Sequence, residues 1–74
     1  MADPFRLTPP REHAFWRLVN ALGLDAQANP LTLCRACVAS RSDDAEAVGA
    51  ACEVLFHVER KHEPVQFGYR PTGG

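Results

Sequence analysis

The chain has 74 residues, of which 46% are hydrophobic, and a formal net charge of −1. This length allows one small domain, and a core of that size commonly needs a metal, a disulfide or oligomerisation to be stable. Eight Lys and Arg against nine Asp and Glu argue against the basic surface that is typical of nucleic-acid-binding domains.

The cysteine content and the N-terminus indicate a reducing compartment. Three cysteines cannot all pair within one chain, and residues 1–13 lack the basic-then-apolar pattern of a secretory signal. No apolar run approaches the length that spans a membrane. We therefore expect a cytoplasmic protein with reduced cysteines, formed by a single domain over 1–74 with loose ends at 1–7 and 70–74.

A first helix is predicted over about residues 9–22. Thr8 is placed to cap its N-terminus, Pro9 suits the first helical position, and Gly23 suits the left-handed position after the last turn. Apolar residues recur with helical spacing and predict a buried stripe, formed by Phe15, Leu18, Val19 and Leu22.

The segment of about residues 30–40 has two interpretations. In one, residues 31–33 are extended and lead into a metal-binding knuckle. In the other, Asn29 caps a short middle helix that begins at Pro30. The inner face of such a helix would consist of Leu31, Cys34 and Val38.

A final helix is predicted over about residues 43–62. Asp43 and Glu46 resemble a capping box, with Ser42 as an alternative cap, and Pro64 enforces the end of the helix. Gly49 either weakens the helix or lets another element approach closely. The apolar face is predicted to consist of Ala45, Val48, Cys52, Leu55 and Phe56. Together these elements predict a small α-rich fold that resembles a three-helix bundle.

Two pairs of potential metal ligands bracket the final helix. Cys34 and Cys37 form a C-x-x-C pair, and His57 and His62 form an H-x-x-x-x-H pair, with nineteen residues between the pairs. Two thiolates and two imidazoles can bind one tetrahedral zinc ion. Residues 31–63 thus resemble the two-cysteine, two-histidine zinc finger, although that family usually has about twelve residues in the middle spacing.

The chain also resembles, more loosely, small finger-like proteins of actinobacteria and their phages. The finger resemblance implies a structural zinc. In an ideal helix, however, His57 and His62 lie on opposite faces, so the last turn must loosen or tighten for both to bind one ion. Cys52 is the reserve ligand, together with Cys34, Cys37 and one histidine. Alternatively, all three cysteines are small apolar core residues of a metal-free bundle.

The function predicted from these patterns is a zinc-stabilised interaction or regulatory module that binds a protein, in transcription or in phage–host interaction. The alternatives are a metal-free helical adaptor or homodimer, and a DNA-binding regulator, which the acidic start of the final helix disfavours. We expect no enzyme, because the chain lacks the βαβ pattern of thiol oxidoreductases. Trp16, Phe67 and Tyr69 are candidate partner contacts, with packing at the edge of the core as their alternative role.

Overall fold

Three α-helices form the fold in a computed structural model that describes residues 3–68. The helices are α1 (Pro9–Ala21), α2 (Pro30–Ala39) and α3 (Ala45–Leu55), and α3 continues into one π-helical turn (Phe56–Arg60). Helix α3 packs extensively against both α1 and α2, whereas α1 and α2 touch each other less. The predicted small, all-α, three-helix-bundle-like fold is therefore confirmed.

Helix α1 begins at Pro9 as predicted and ends at Ala21, one residue before the predicted end. Thr8 is extended and precedes the helix, although its side chain makes no capping hydrogen bond, and Gly23 has a φ of 70°. Of the predicted stripe, Leu22 is 40% exposed while the other three residues are buried. The prediction for Leu22 is wrong because α1 ends at Ala21, which leaves Leu22 in the turn that follows.

Helix α2 confirms the second interpretation of the middle segment. The side chain of Asn29 accepts a hydrogen bond of 2.9 Å from the backbone N–H of Leu31, and Pro30 is the first helical residue. An extended knuckle is therefore wrong. The fully buried residues of α2 are Leu33, Cys34 and Cys37, and the predicted inner-face residues Leu31 and Val38 are only half-buried.

The N-terminal cap of α3 differs from the prediction by one residue. Asp44, and not Asp43, accepts a hydrogen bond from the backbone N–H of Ala47 at 3.1 Å. Ser42 Oγ in turn accepts a hydrogen bond of 3.1 Å from the backbone N–H of Asp44. The predicted capping box of Asp43 and Glu46 is therefore wrong, since the helix starts at Ala45.

The buried face of α3 also differs from the prediction. It consists of Ala47, Ala50, Ala51 and Val54, all with 0% exposure. The predicted face lies on the other side of the helix: Ala45, Cys52 and Phe56 are exposed, and Val48 and Leu55 are half-buried. Small side chains let α1 and α2 approach α3 closely. The bundle therefore covers the face of α3 that is richest in alanine.

The two ends of the described chain meet beside the C-terminal end of α3. Phe5 and Val65 form an isolated parallel bridge, in which Phe5 N–H donates to the carbonyl of Pro64 at 2.8 Å and Gln66 N–H donates to the carbonyl of Phe5 at 2.9 Å. Leu7 is buried in the core. Within residues 3–68, no helix combines the length and apolar character needed to cross a membrane.

Candidate functional site

The C-x-x-C pair lies in the core of the bundle. Cys34 and Cys37 are both fully buried on the inner face of α2. Burial raises the pKa of the Cys34 thiol from its usual 9.0 to about 12, with further contributions from the nearby Cys37 and Cys52 thiols. Burial also raises the pKa of Cys37. Burial therefore disfavours the thiolate form of both cysteines in this fold.

The two histidines occupy separate surroundings. His57 lies in the π-helical turn, where its Nδ1 is 2.5 Å from Oε1 of Glu63 and its ring stacks on Phe5 with the ring centroids 3.8 Å apart. His62 is exposed and has a left-handed backbone with a φ of 57°. The π-helical turn therefore directs His57 to the bridge between the chain ends and not to the cysteines.

The structure does not gather the predicted ligands into one group within residues 3–68. In the part of the chain that the structure describes, no group of three or more His, Cys, Asp or Glu residues is placed to hold a metal ion. The predicted inward orientation of Cys52 is wrong, because this residue is exposed. Neither the predicted ligands Cys34, Cys37, His57 and His62 nor the reserve set that includes Cys52 is gathered into such a group among residues 3–68. Zinc binding stays a prediction from the spacing.

The candidate aromatic contacts pack at the edge of the core. Trp16 is only 3% exposed, and its ring meets Phe15 edge-on with the centroids 4.9 Å apart. Phe67 is half-buried and stacks on Phe15 at 5.6 Å. Both residues thus take the packing role that the sequence offered as the alternative. Tyr69 lies outside the described residues.

An apolar surface that the bundle covers only in part remains on α3, beside the buried alanine face. At about 100° per residue, its members span roughly 100° of the helix. Phe56 is 49% exposed, the highest value among the exposed large hydrophobic residues of the described chain. We call this surface the outer face of α3, and it consists of Ala45, Val48, Cys52, Leu55 and Phe56.

Exposed charges of opposite sign stand near the two ends of α3. Asp43 and Glu46 are exposed at the N-terminal end of α3. At the C-terminal end, Arg60 and Lys61 are exposed, and Nζ of Lys61 lies 5.6 Å from the centroid of the Phe56 ring. Two exposed acids therefore lie near the start of α3, and two exposed bases lie beyond its end.

Two acids, one in α3 and one just beyond its end, form ion pairs with arginines of α1 and α2. Nη1 of Arg11 lies 3.0 Å from both carboxylate oxygens of Glu53, on the side of α3 that faces α1. Arg35 of α2 forms an ion pair with Glu59, just beyond the C-terminal end of α3. Neither acid therefore adds an unmatched charge beside the centre of the outer face.

A buried carboxylate that the sequence patterns did not single out lies on α1. Glu12 is 5% exposed, and its Oε2 accepts a hydrogen bond of 2.8 Å from the backbone N–H of Gly68. It lines a cleft of about 400 Å³ together with Leu7 and His13. In the sequence, Glu12 is recognisable only as an acid in the first turn of a helix. Solvated acids that interact with the helix dipole occupy the same position, so the sequence does not indicate that Glu12 is buried.

In comparisons with protein-family models, with curated proteins and with solved structures, no match to this chain was found. A function is therefore inferred from geometry. Cys34 and Cys37 are enclosed, the two histidines occupy separate surroundings, and the outer face of α3 presents Phe56 to solvent.

Proposed function

We propose that this protein is a small protein-interaction module that binds its partner through the outer face of α3. In this proposal Cys34 and Cys37 are packing residues, and the bundle folds without a metal. The observation that carries the proposal is the half-exposed ring of Phe56, which follows the exposed Cys52 and the half-buried Leu55 on the same side of the helix. Contiguous exposed apolar surface is typical of sites that bind other proteins.

Phe56 is suited to be the central contact of such a site. Aromatic side chains are enriched among the residues that dominate binding energy at protein interfaces. Covering the exposed half of the ring would contribute about 1 kcal/mol of hydrophobic stabilisation. Lys61 lies over the same ring, so a charged group borders the apolar contact, as is usual at the rim of an interface.

The ion pairs favour a protein over a nucleic acid as the partner. Three arginines are paired with acids of the same chain: Arg11 with Glu53, Arg17 with Asp44, and Arg35 with Glu59. These pairs reduce the positive charge that each arginine could offer to phosphates. The exposed Asp43 and Glu46 at the start of α3 would repel a phosphate backbone.

The proposal can be tested by comparing two single substitutions. Phe56→Asp places a charge on the outer face of α3, and Leu22→Asp places the same charge at the other exposed large hydrophobic residue, next to α1. Each immobilised protein is incubated with a lysate of the source cells, and retained proteins are quantified by mass spectrometry.

We expect a partner that is retained by the wild-type chain and by Leu22→Asp but lost with Phe56→Asp. The partner, once purified, should bind the chain directly and shift the amide resonances of α3. Retention that survives Phe56→Asp, or resonance shifts confined to α1, would contradict the proposal.

A further inference from the structure

We infer that residues 63–68, which we call the strap, bind in exchange to a second copy of this chain, so that two copies form a dimer with swapped straps. The surface that holds the strap is its seat, and it consists of Phe5, Glu12, Phe15 and Trp16. The seat is separate from the outer face of α3, so the inference goes beyond the proposed function. It is carried by the contacts of the strap and by the backbone of the residue that precedes it.

The seat holds the strap through backbone hydrogen bonds at both ends. Phe5 N–H donates to the carbonyl of Pro64 at 2.8 Å, and Gln66 N–H donates to the carbonyl of Phe5 at 2.9 Å. At the other end, Oε2 of Glu12 accepts a hydrogen bond of 2.8 Å from the N–H of Gly68. The strap is thus bound through its backbone, in the way that a peptide ligand pairs with an exposed strand.

The side chain of Phe67 anchors the strap to the core. Its ring stacks on that of Phe15 with the centroids 5.6 Å apart, and it meets the ring of Trp16 edge-on at 5.4 Å. Aromatic pairs at this spacing are favourable beyond the area that they bury. A strap from a second copy has the same sequence and can make the same contacts. Exchange therefore restores the contacts that opening of the strap breaks.

The backbone that leads into the strap is strained. His62 has a φ of 57°, in the left-handed region that residues with a Cβ rarely adopt. Only two residues separate the π-helical turn, which ends at Arg60, from the strap. Glu63 precedes Pro64 and therefore favours an extended backbone, so the change of chain direction falls on His62. Short connections under strain favour domain swapping.

This strain offsets the advantage that a strap has in binding to its own chain. A segment on a short linker has an effective concentration on the order of millimolar at its own seat. In the exchanged dimer both hinges at His62 can become extended, and leaving the left-handed region favours each hinge by about fivefold or more. Two hinges together lower the expected dissociation constant to roughly 0.1 mM or below.

The first test detects exchanged straps directly. Unlabelled chain and chain labelled with carbon-13 and nitrogen-15 are unfolded, mixed and refolded together at about 1 mM. Isotope-filtered NOE spectra then report only contacts between different copies. We expect NOEs between the Phe67 ring of one copy and the Phe15 ring of the other. A monomer at this concentration, or a dimer without these NOEs, would overturn the inference.

The second test changes the hinge alone. His62→Gly relieves the strain in the closed monomer, so the dimer dissociation constant should rise about tenfold or more. His62→Val increases that strain and suits an extended hinge, so the constant should fall about tenfold. Sedimentation measures both constants, and circular dichroism checks that both variants are folded. The same dissociation constant for the wild type and both variants would contradict a dimer that forms through this hinge.

The third test measures how fast labelled and unlabelled dimers exchange copies, by native mass spectrometry. Exchange of swapped copies requires the strap to leave its seat, so Phe67→Ala should speed it about tenfold. Gln66→Ala is the matched control, because this residue is exposed and bonds the seat through its backbone N–H. It should leave the rate unchanged. A rate that Phe67→Ala does not change would place the dimer contact elsewhere and overturn the inference.

Discussion

Arg11 of α1 reaches across the bundle and holds Glu53 of α3, with Nη1 3.0 Å from both carboxylate oxygens. The guanidinium passes over Gly49, and its Nη2 lies 3.3 Å from the position that a Cβ would occupy there. This glycine therefore gives the arginine room to cross the helix. A close approach of another element at Gly49 was one of the two roles that the sequence predicted for this glycine.

The first prediction concerns Gly49→Ala. The new methyl group needs Arg11 to move by only a few tenths of an ångström, and the end of an arginine side chain can do so. Alanine is favoured over glycine in a helix by about 0.8–1 kcal/mol, so we expect a net gain of about 0.5 kcal/mol in the free energy of unfolding. Urea denaturation measures this change.

A matched experiment in the Arg11→Ala background separates the two effects. Without the guanidinium, Gly49→Ala should give the whole helix-propensity gain. A smaller gain in that background than in the wild type would show that the arginine does not restrict the site.

The second prediction compares two adjacent acids. Asp44 caps α3 through its hydrogen bond with the N–H of Ala47, whereas Asp43 is exposed beyond the start of the helix. Asp44→Ala should lower the melting temperature by several degrees, since it removes the cap. Asp43→Ala should change it little. Thermal unfolding monitored at 222 nm by circular dichroism provides the measurement.

The same cap gives a pH dependence with a definite sign. Hydrogen bonding from the Ala47 backbone, followed by that from Arg17, lowers the pKa of Asp44 below its usual 3.8. A carboxyl group with a lowered pKa stabilises the fold above the unfolded-state value and loses this contribution as the pH falls through the folded-state value. Asp44→Asn should therefore flatten the acid limb of the curve of unfolding free energy against pH.

Local signals predicted the helices well, and their failures are instructive. Proline after Asn29 and glycine after Leu22 mark helix ends through backbone geometry alone, so both ends were predictable. The cap of α3 was not, because Asp43 and Asp44 are chemically equivalent and only the register of the folded helix distinguishes them. On α3, the helical periodicity of the larger apolar residues predicted the wrong buried face. The bundle instead covers the alanines, because the buried face depends on how closely α1 and α2 approach α3.

The third prediction concerns the core thiols at alkaline pH. The pKa of Cys34 is raised from 9.0 to about 12, so its contribution to stability is complete below pH 9. As the pH rises from 9 towards 12, the thiol ionises in the unfolded chain first and the fold loses stability. Cys34→Ala should show a shallower loss over this range, although it starts from a lower stability because of the cavity.

Burial is the largest cause of the raised pKa of Cys34, and the Cys52 thiol is a smaller one, so Cys52→Ala should reduce the alkaline loss of stability less than Cys34→Ala does. Labelling of the native protein with a maleimide should modify Cys52 alone, and unfolding should be needed before Cys34 and Cys37 react. Rapid labelling of all three cysteines in the native protein would contradict the burial of Cys34 and Cys37.

The fourth prediction assigns different roles to the two histidines. His57→Ala removes the contact with Glu63 and the stack on Phe5, and should cost about 1–2 kcal/mol of stability. It should also speed hydrogen exchange at the backbone amides of Phe5 and Gln66, which bond across the bridge. His62→Ala should do neither. Equal effects of both substitutions would favour a shared metal ligand role.

The fifth prediction addresses zinc directly. Because the four donors of the finger-like spacing are dispersed in this fold, chelation of a purified sample should leave its helicity unchanged. Far-UV circular dichroism before and after chelation, with native mass spectrometry alongside, makes the comparison. One zinc per chain, lost together with helicity, would instead establish the finger-like site and require a different arrangement of α2.

The spacing of the cysteines and histidines along the sequence could not show that the fold keeps the two pairs apart. A C-x-x-C pair curls around a metal only when its backbone forms a knuckle, and Asn29 with Pro30 instead begins a helix there. In a helix, Cys34 and Cys37 share a face and enter the core together. The π-helical turn then rotates His57 relative to an ideal helix, an irregularity that carries no periodic signal.

The parallel bridge between the chain ends has a mechanical consequence. The segments at Phe5 and Val65 run in the same direction, so tension applied between the two ends of the described chain acts along the bridge. Its two hydrogen bonds, from Phe5 N–H and from Gln66 N–H, are then sheared together and not opened one after the other. The bundle should therefore resist stretching from its ends more than its small size suggests, with the stack of Phe5 on His57 sliding before α3 experiences the force.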